Sequence, residues 1–206
     1  MPEDPVFLLN NFMKREFNII IFGIGGQGII TLTRLLAEAA LNEGYNAKTS
    51  EVHGLSQRGG SVDTHLRFGK EIFSPLVSQS KADLIISLEI QETLKAAYYA
   101  KSDKNTIFLI NDFIKEIQDS KKFSKEEIIK ELKKISKRIF IIPASKIAKE
   151  KLNNEVLAGI FLLGYSVFKK IIPLKPSSFL KAILKVVPEK YLEINKKAFS
   201  LAEDYD

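Results

Sequence analysis

The sequence predicts an α/β protein: a three-layer α/β/α sandwich around a mainly parallel, Rossmann-like sheet, with a helical C-terminal part. Three observations predict it. Residues 18–22 (N-I-I-I-F) form a continuous apolar run that ends on a glycine cluster, as strands buried on both faces do. From residue 27 to residue 43 the period becomes helical, with Ile29, Leu32, Leu36 and Ala40 on one face. Further short apolar runs then alternate with helical stretches, the pattern of successive βα units.

The remaining elements follow in order. Gly44 fits the stop of the first helix. Residues 47–52 read as a second strand, closing a β-loop-α-β unit of roughly 30 residues. Residues 61–68 alternate, Val62, Thr64, Leu66 and Phe68 facing one way and Asp63, His65 and Arg67 the other. Such a two-faced strand is expected at a sheet margin, antiparallel, with His65 on the surface. Residues 83–88 and 106–110 are buried strands, separated by a helix over 89–100. In that helix Glu89 and Glu92 share a face and read as a solvated pair rather than an acid–base dyad. Residues 125–137 form an exposed helix and 138–142 a late strand ending at Pro143. From Asn154 the chain is helical, cut by Pro173, Pro176 and Pro188. Residues 1–17 are an N-terminal extension and residues 18–206 a single domain.

Composition narrows the function. The 206 residues include no cysteine, which excludes disulfides, thiolate metal sites, cysteine-ligated clusters and cysteine nucleophiles. The net charge is +6, but lysines alternate with Glu126, Glu127 and Glu131 as on a solvated helix face, and no aromatic residues interleave with arginine. A nucleic-acid partner is not expected. The start Met1-Pro2-Glu3-Asp4-Pro5 lacks a basic signal-peptide region, and the most apolar stretch, 156–168, is broken by Gly159, Gly164 and Ser166 and is shorter than the ~18 residues of a membrane span. A cytoplasmic protein without a membrane partner is expected. His53 and His65 are the only histidines, too few for a metal site, and none is expected.

Two segments can carry chemistry. Gly23-Ile24-Gly25-Gly26-Gln27-Gly28 matches G-x-G-x-x-G after a strand and before a helix. Glycines there let the backbone turn sharply and approach a ligand, while the helix N-terminus offers free N–H groups to an anion. Two readings stay open: contact with an anion or cofactor, or tight packing and a subunit contact. A nicotinamide cofactor would want a carboxylate at the end of the second strand, and Glu51 lies late for it. The second segment, residues 50–61, packs Glu51, His53, Gln57 and Arg58 against Gly59 and Gly60. Arg58 could offer a bidentate fork to a phosphate or carboxylate beside free backbone N–H groups, or pair with Glu51 or a partner's carboxylate. No Ser-His-Asp spacing supports a nucleophile, and no catalytic residue is assigned.

Together, G-I-G-G-Q-G-I at 23–29 and S-E-V-H-G-L-S-Q-R-G-G-S-V at 50–62 resemble the gamma-type domain of the 2-oxoacid:ferredoxin oxidoreductases, most of all the beta subunit of the indolepyruvate members. Asn154-Glu155-Val156-Leu157-Ala158-Gly159 is similar to the family's Asn-x-Val-x-x-Gly, and Asn195-Lys196-Lys197-Ala198-Phe199 to its Asn-x-x-Ala-Phe. Leu55 stands where methionine is expected. The resemblance implies oxidative decarboxylation of an arylpyruvate with coenzyme A, electrons passing to ferredoxin. Thiamine diphosphate, magnesium and iron–sulfur clusters would sit on a larger partner subunit in a heterodimer or heterotetramer, since this chain has neither cysteine nor a G-D-G…N pattern. Gly23, Gly25, Gly26, Gln27, Gly28, Glu51, His53, Gln57, Arg58, Gly59 and Gly60 would touch cofactor or partner. A stand-alone dinucleotide-dependent dehydrogenase and a noncatalytic binding module are the alternatives.

Overall fold

The structure, a computed structural model, describes residues 16–53, 60–115 and 123–205, without the side chain of His53. Six strands, β1 (Phe17–Ile24), β2 (Asn46–His53), β3 (Ser61–Gly69), β4 (Leu84–Ser87), β5 (Ile107–Asn111) and β6 (Arg138–Ile142), form one sheet in the order β2-β3-β1-β4-β5-β6. β1, β4, β5 and β6 are mutually parallel, while β3 pairs antiparallel with both β1 and β2. The mainly parallel sandwich predicted from sequence is therefore present.

Helices cover both faces. Ile19 and Ile21 of β1 point to one side, with Leu66, Leu84, Ile86, Ile107 and Leu109. That side is closed by α1 (Ile29–Asn42), α3 (Ala144–Leu152), α4 (Ala158–Phe168), α5 (Pro176–Val186) and α6 (Leu192–Ser200). Ile20, Phe22, Ile85, Phe108 and Ile110 point to the other, where a 3₁₀ segment (Ile90–Tyr99) and α2 (Lys125–Ile135) cover them. α2 begins in a capping box between Ser124 and Glu127 and buries only Ile128 and Leu132, matching its strongly polar sequence. α4 lies at the opposite extreme, with every residue from Ala158 to Val167 buried, as its nearly uniform apolar sequence requires.

Four expectations need correction. The margin of the sheet is β2, whose exposed residues leave it half-solvated; β3 is one strand further in. Its polar face is covered by the 3₁₀ segment, so His65 is buried at 2% exposure rather than on the surface. The Val77 N–H donates to His65 Nδ1 at 3.1 Å, Tyr99 packs edge-on against the ring at 5.2 Å, and Nε2 lies 3.4 Å from Asp63 Oδ2. The predicted helix over 89–100 is a 3₁₀ helix. Its ends close on i,i+3 bonds, the Glu92 N–H on the Glu89 carbonyl and the Ala100 N–H on the Ala97 carbonyl, both at 3.2 Å, which is 3₁₀ spacing. Finally, Glu89 and Glu92 are not a solvated pair. Glu89 caps that segment from inside the protein, and Glu92 accepts hydrogen bonds from Ser61 Oγ and Lys95 Nζ.

Close helix packing depends on Gly164. A Cβ there would run into the Phe199 carbonyl oxygen of α6 and lie 3.0 Å from Ala202 Cβ. Alanine would favour the isolated helix by ~1 kcal/mol, but an immovable backbone oxygen makes overpacking the larger effect. Gly164→Ala should therefore destabilise the protein by about 1–3 kcal/mol. At roughly 2–4 °C per kcal/mol for a chain of this size, thermal denaturation should show the loss as a lower Tm. An unchanged or higher Tm would mean that α4 and α6 separate freely.

Candidate functional site

The site is built where β1 ends. The chain turns through Gly25 and Gly26 and enters α1 at Ile29. Gly26 and Gly28 have φ of 101° and 77°, left-handed conformations in which side chains are strained. Gly28 is the N-cap of α1, so no side chain caps this terminus, and the first turn holds no acidic residue. The positive end of the helix is left for an anion from elsewhere. Gly23 differs from the others. A Cβ there would meet Gln27 Oε1 at 2.6 Å and Ile29 Cδ1 at 2.9 Å, so this glycine makes room for packing beneath the loop.

Gln27 is that packing. Its Oε1 accepts the Ile24 N–H at 2.8 Å and its Nε2 donates to the Leu88 carbonyl at 3.3 Å, fixing the glycine loop to the end of β4.

The second predicted segment meets the first. The Gly25 N–H donates to the Gly60 carbonyl at 3.0 Å, and Glu51 lies near the end of β2 on the same edge of the sheet. Gly25, Gly26, Gly28, Glu51 and Val62 line one open cavity of about 550 Å³ between the two segments. Beneath it, Thr33 of α1 and Thr64 of β3 share a buried hydroxyl–hydroxyl hydrogen bond of 2.5 Å, which holds helix to strand. Gln57, Arg58 and Gly59, and the side chain of His53, lie outside the described residues.

β3 also changes what Glu51 can do. In a dinucleotide fold the ribose carboxylate ends the strand beside β1. Here β3 separates the two strands, placing β2 two strand spacings, roughly 9–10 Å, from β1.

A second cavity, of about 250 Å³, opens on the other side of the glycine loop. It sits between the carboxyl ends of β1 and β4, where the strand order reverses and ligands of open α/β sheets gather. Gly26 and Gln27 form one wall, and Asn111, Lys115, Ser145, Glu155 and Gly159 supply others. The 154–159 motif is thus brought beside the glycine loop, with Gly159 allowing Leu32 of α1 to approach where a Cβ would stand 2.5 Å from Leu32 Cδ1. Asn111, Lys115 and Ser145 were not singled out from sequence. Asn111 left one signal, a polar residue ending an apolar strand; its Nδ2 donates to Ser145 Oγ at 2.8 Å and to the Leu88 carbonyl at 3.1 Å. Lys115 left none.

Glu89, 2% exposed, organises this edge. Its carboxylate accepts the Glu92 N–H at 3.0 Å and the Lys115 N–H at 3.3 Å, tying the stretch after β5 to the end of β4. Burial pushes its carboxyl above the ordinary value, and the nearby Glu92 charge adds to this. Backbone N–H groups of Glu92, Lys115 and Gln91 pull the other way.

Comparison with known proteins places this geometry. The sequence profile of the family described as pyruvate ferredoxin/flavodoxin oxidoreductase matches residues 18–205. The chain belongs to that family. It is 36% identical over 192 residues to the indolepyruvate oxidoreductase subunit IorB of Thermococcus kodakarensis, covering 91% of this chain and 94% of that one. The subunit of the same name from Pyrococcus horikoshii is 35% identical, with the same coverage. Among solved structures, the keto/oxoacid ferredoxin oxidoreductase gamma subunit of Geobacter sulfurreducens superposes with a TM-score of 0.68 at 22% identity, covering 91% of this chain and 96% of that one, which shows a shared fold. Among the described residues no group of three or more histidine, aspartate or glutamate side chains could hold a metal, and no helix is long and apolar enough to cross a membrane.

The Glu89 shift sets a pH dependence. A carboxyl whose folded-state pKa is raised contributes stability that is fully present below its unfolded pKa and is lost as pH rises through the folded one. Glu89→Gln has no proton to lose. Urea denaturation of both proteins at pH 4 and pH 7 should show the variant's midpoint, relative to wild type, moving upward between the two pH values. An offset independent of pH would mean that folding does not raise the Glu89 pKa.

Proposed function

We propose that this chain is the non-cluster subunit of an indolepyruvate (2-oxoacid):ferredoxin oxidoreductase. The assembled enzyme converts an arylpyruvate and coenzyme A to an aryl-acyl-CoA and carbon dioxide, passing two electrons to ferredoxin. The names of the relatives and the resemblance of residues 50–62 to the indolepyruvate members support this reading. What carries it is the meeting of the glycine loop, the end of β2 and the 154–159 motif along one edge of the sheet, around open cavities.

This chain's residues do not fit the redox cofactors. A thiolate-ligated cluster needs cysteines, and the sequence has none. The G-D-G…N pattern that would hold magnesium and thiamine diphosphate is also missing. We therefore assign thiamine diphosphate, magnesium, the clusters and the docking of ferredoxin to a larger partner subunit, in a cytoplasmic heterodimer or heterotetramer.

This chain would contribute a wall. Gly25, Gly26, Gly28, Glu51 and Gly60 lie together on the presented edge, and His53, Gln57, Arg58 and Gly59 belong to the same stretch of sequence. Gly23 and Gln27 hold that edge in shape. The dehydrogenase alternative is less well supported, because β3 removes Glu51 from the strand beside β1.

Reduction of a viologen dye by indolepyruvate and coenzyme A should require co-expression with the thiamine-binding subunit. Turnover by this chain alone at the rate of the complex would refute the proposal. Arg58 is the proposed anion contact. A charge-assisted hydrogen bond contributes roughly 1.5–3 kcal/mol, so Arg58→Ala should lower turnover or coenzyme A affinity about ten- to a hundred-fold. Arg58→Lys should recover only part, because an ammonium cannot reproduce the fork. If Arg58→Ala prevents assembly while any complex that forms works normally, the contact is to the partner. If both variants assemble and turn over like wild type, there is no contact.

A further inference from the structure

A third cavity, of about 240 Å³, lies at the opposite end of the sheet. It is bounded by the amino ends of β1, β5 and β6, at Phe17, Ile107 and Arg138, and by Lys170, Ile171 and Pro173 after α4. β1 is eight residues long, so roughly 23 Å of strand separates this cavity from the glycine loop. Its apolar wall is aromatic. Phe68 packs 5.4 Å from Phe17 and 5.6 Å from Tyr45, ring centre to ring centre.

The charges in the lining are unequal. Two carboxylates face it, and both are engaged. Asp83 pairs with Lys101 and accepts the Asn18 N–H at 2.9 Å, while Glu16 pairs with Arg67. Arg138 and Lys170 also line the cavity, and neither head group has an ion-pair or hydrogen-bond partner among the described residues. With Asp83 paired to Lys101 and Glu16 to Arg67, the exposed Arg138 and Lys170 heads leave two positive charges. Lys170 has a φ of 55°, at a helix stop where glycine is the usual residue.

We propose that this cavity binds a small carboxylate with an apolar body. The guanidinium of Arg138 matches a carboxylate, and the ammonium of Lys170 supplies a second donor. The half-buried rings of Phe17 and Tyr45, backed by the buried Phe68, receive the apolar body, in a space of roughly eight water volumes. The inference rests on this chain's own residues and is independent of the proposed function.

Calorimetric titration of the full chain with phenylacetate, acetate and phosphate tests it. Phenylacetate should bind saturably with a Kd of about 1 mM or tighter. Acetate and phosphate, which lack the apolar body, should each bind at least about tenfold more weakly. Arg138→Ala and Lys170→Gly should each weaken phenylacetate binding about tenfold. Lys170→Gly removes the cation while easing the left-handed backbone, so its Tm should not fall and a loss of binding cannot be put down to unfolding. The proposal is overturned if phenylacetate shows no saturation up to roughly 10 mM. It is also overturned if acetate or phosphate binds as tightly, or if both substitutions leave the titration unchanged.

Discussion

β1 is covered on both faces and hydrogen-bonded along both edges, and the rest of the structure is arranged around that constraint. Ile19 and Ile21 enter one core, Ile20 and Phe22 the other, and the strand exposes almost nothing. It ends in glycines, which let the chain leave the sheet and start α1 at once. Because β3 pairs antiparallel on one edge of β1 and β4 parallel on the other, the strand also marks where the chain's path reverses. The proposed functional edge is a consequence of that reversal. The chain leaves the carboxyl ends of β1 and β4 towards opposite faces of the sheet, a crevice opens between the two connections, and the glycine loop stands at its mouth.

The glycines of that loop share a motif but not a physical role. Gly26 and Gly28 supply backbone conformations, Gly23 supplies space for Gln27, and Gly25 carries the hydrogen bond that joins the loop to the start of β3. A regular expression treats them alike. The Gln27 amide separates this loop further from a simple dinucleotide loop, because it is spent on the protein's own Ile24 N–H and Leu88 carbonyl. The loop is thereby held rigid and presents backbone rather than side chains to whatever approaches. Such a surface suits a subunit that completes a site whose reactive groups lie elsewhere.

The insertion of β3 has a second consequence. Its outward residues Asp63, His65 and Arg67 look like a solvated strand face in sequence, and they are polar because each one is used inside. His65 receives the Val77 N–H, Arg67 holds Asn18 and Glu16, and Ser61 on the same face reaches Glu92. Polar groups covered by a neighbouring segment must be paired with it. The stripe therefore reads as a docking face for the 3₁₀ segment and the turn at residues 74–77.

The sequence by itself determined the order and type of nearly every element, because apolar runs and helical periods are local properties of the chain. It also determined that no cluster could be ligated here, because ligand chemistry needs specific side chains and cysteine is absent. Local pattern could not say which strands are neighbours. Only the tertiary structure decided that β3 lies between β1 and β2, that Glu89 and His65 are buried, and that residues 111, 115, 145, 155, 156, 158 and 159 share a cavity with the glycine loop. Each of these depends on contacts between segments far apart in sequence. A glutamate capping a buried turn and a glutamate on a wet helix have the same neighbours in the chain and differ only in what the fold lays over them.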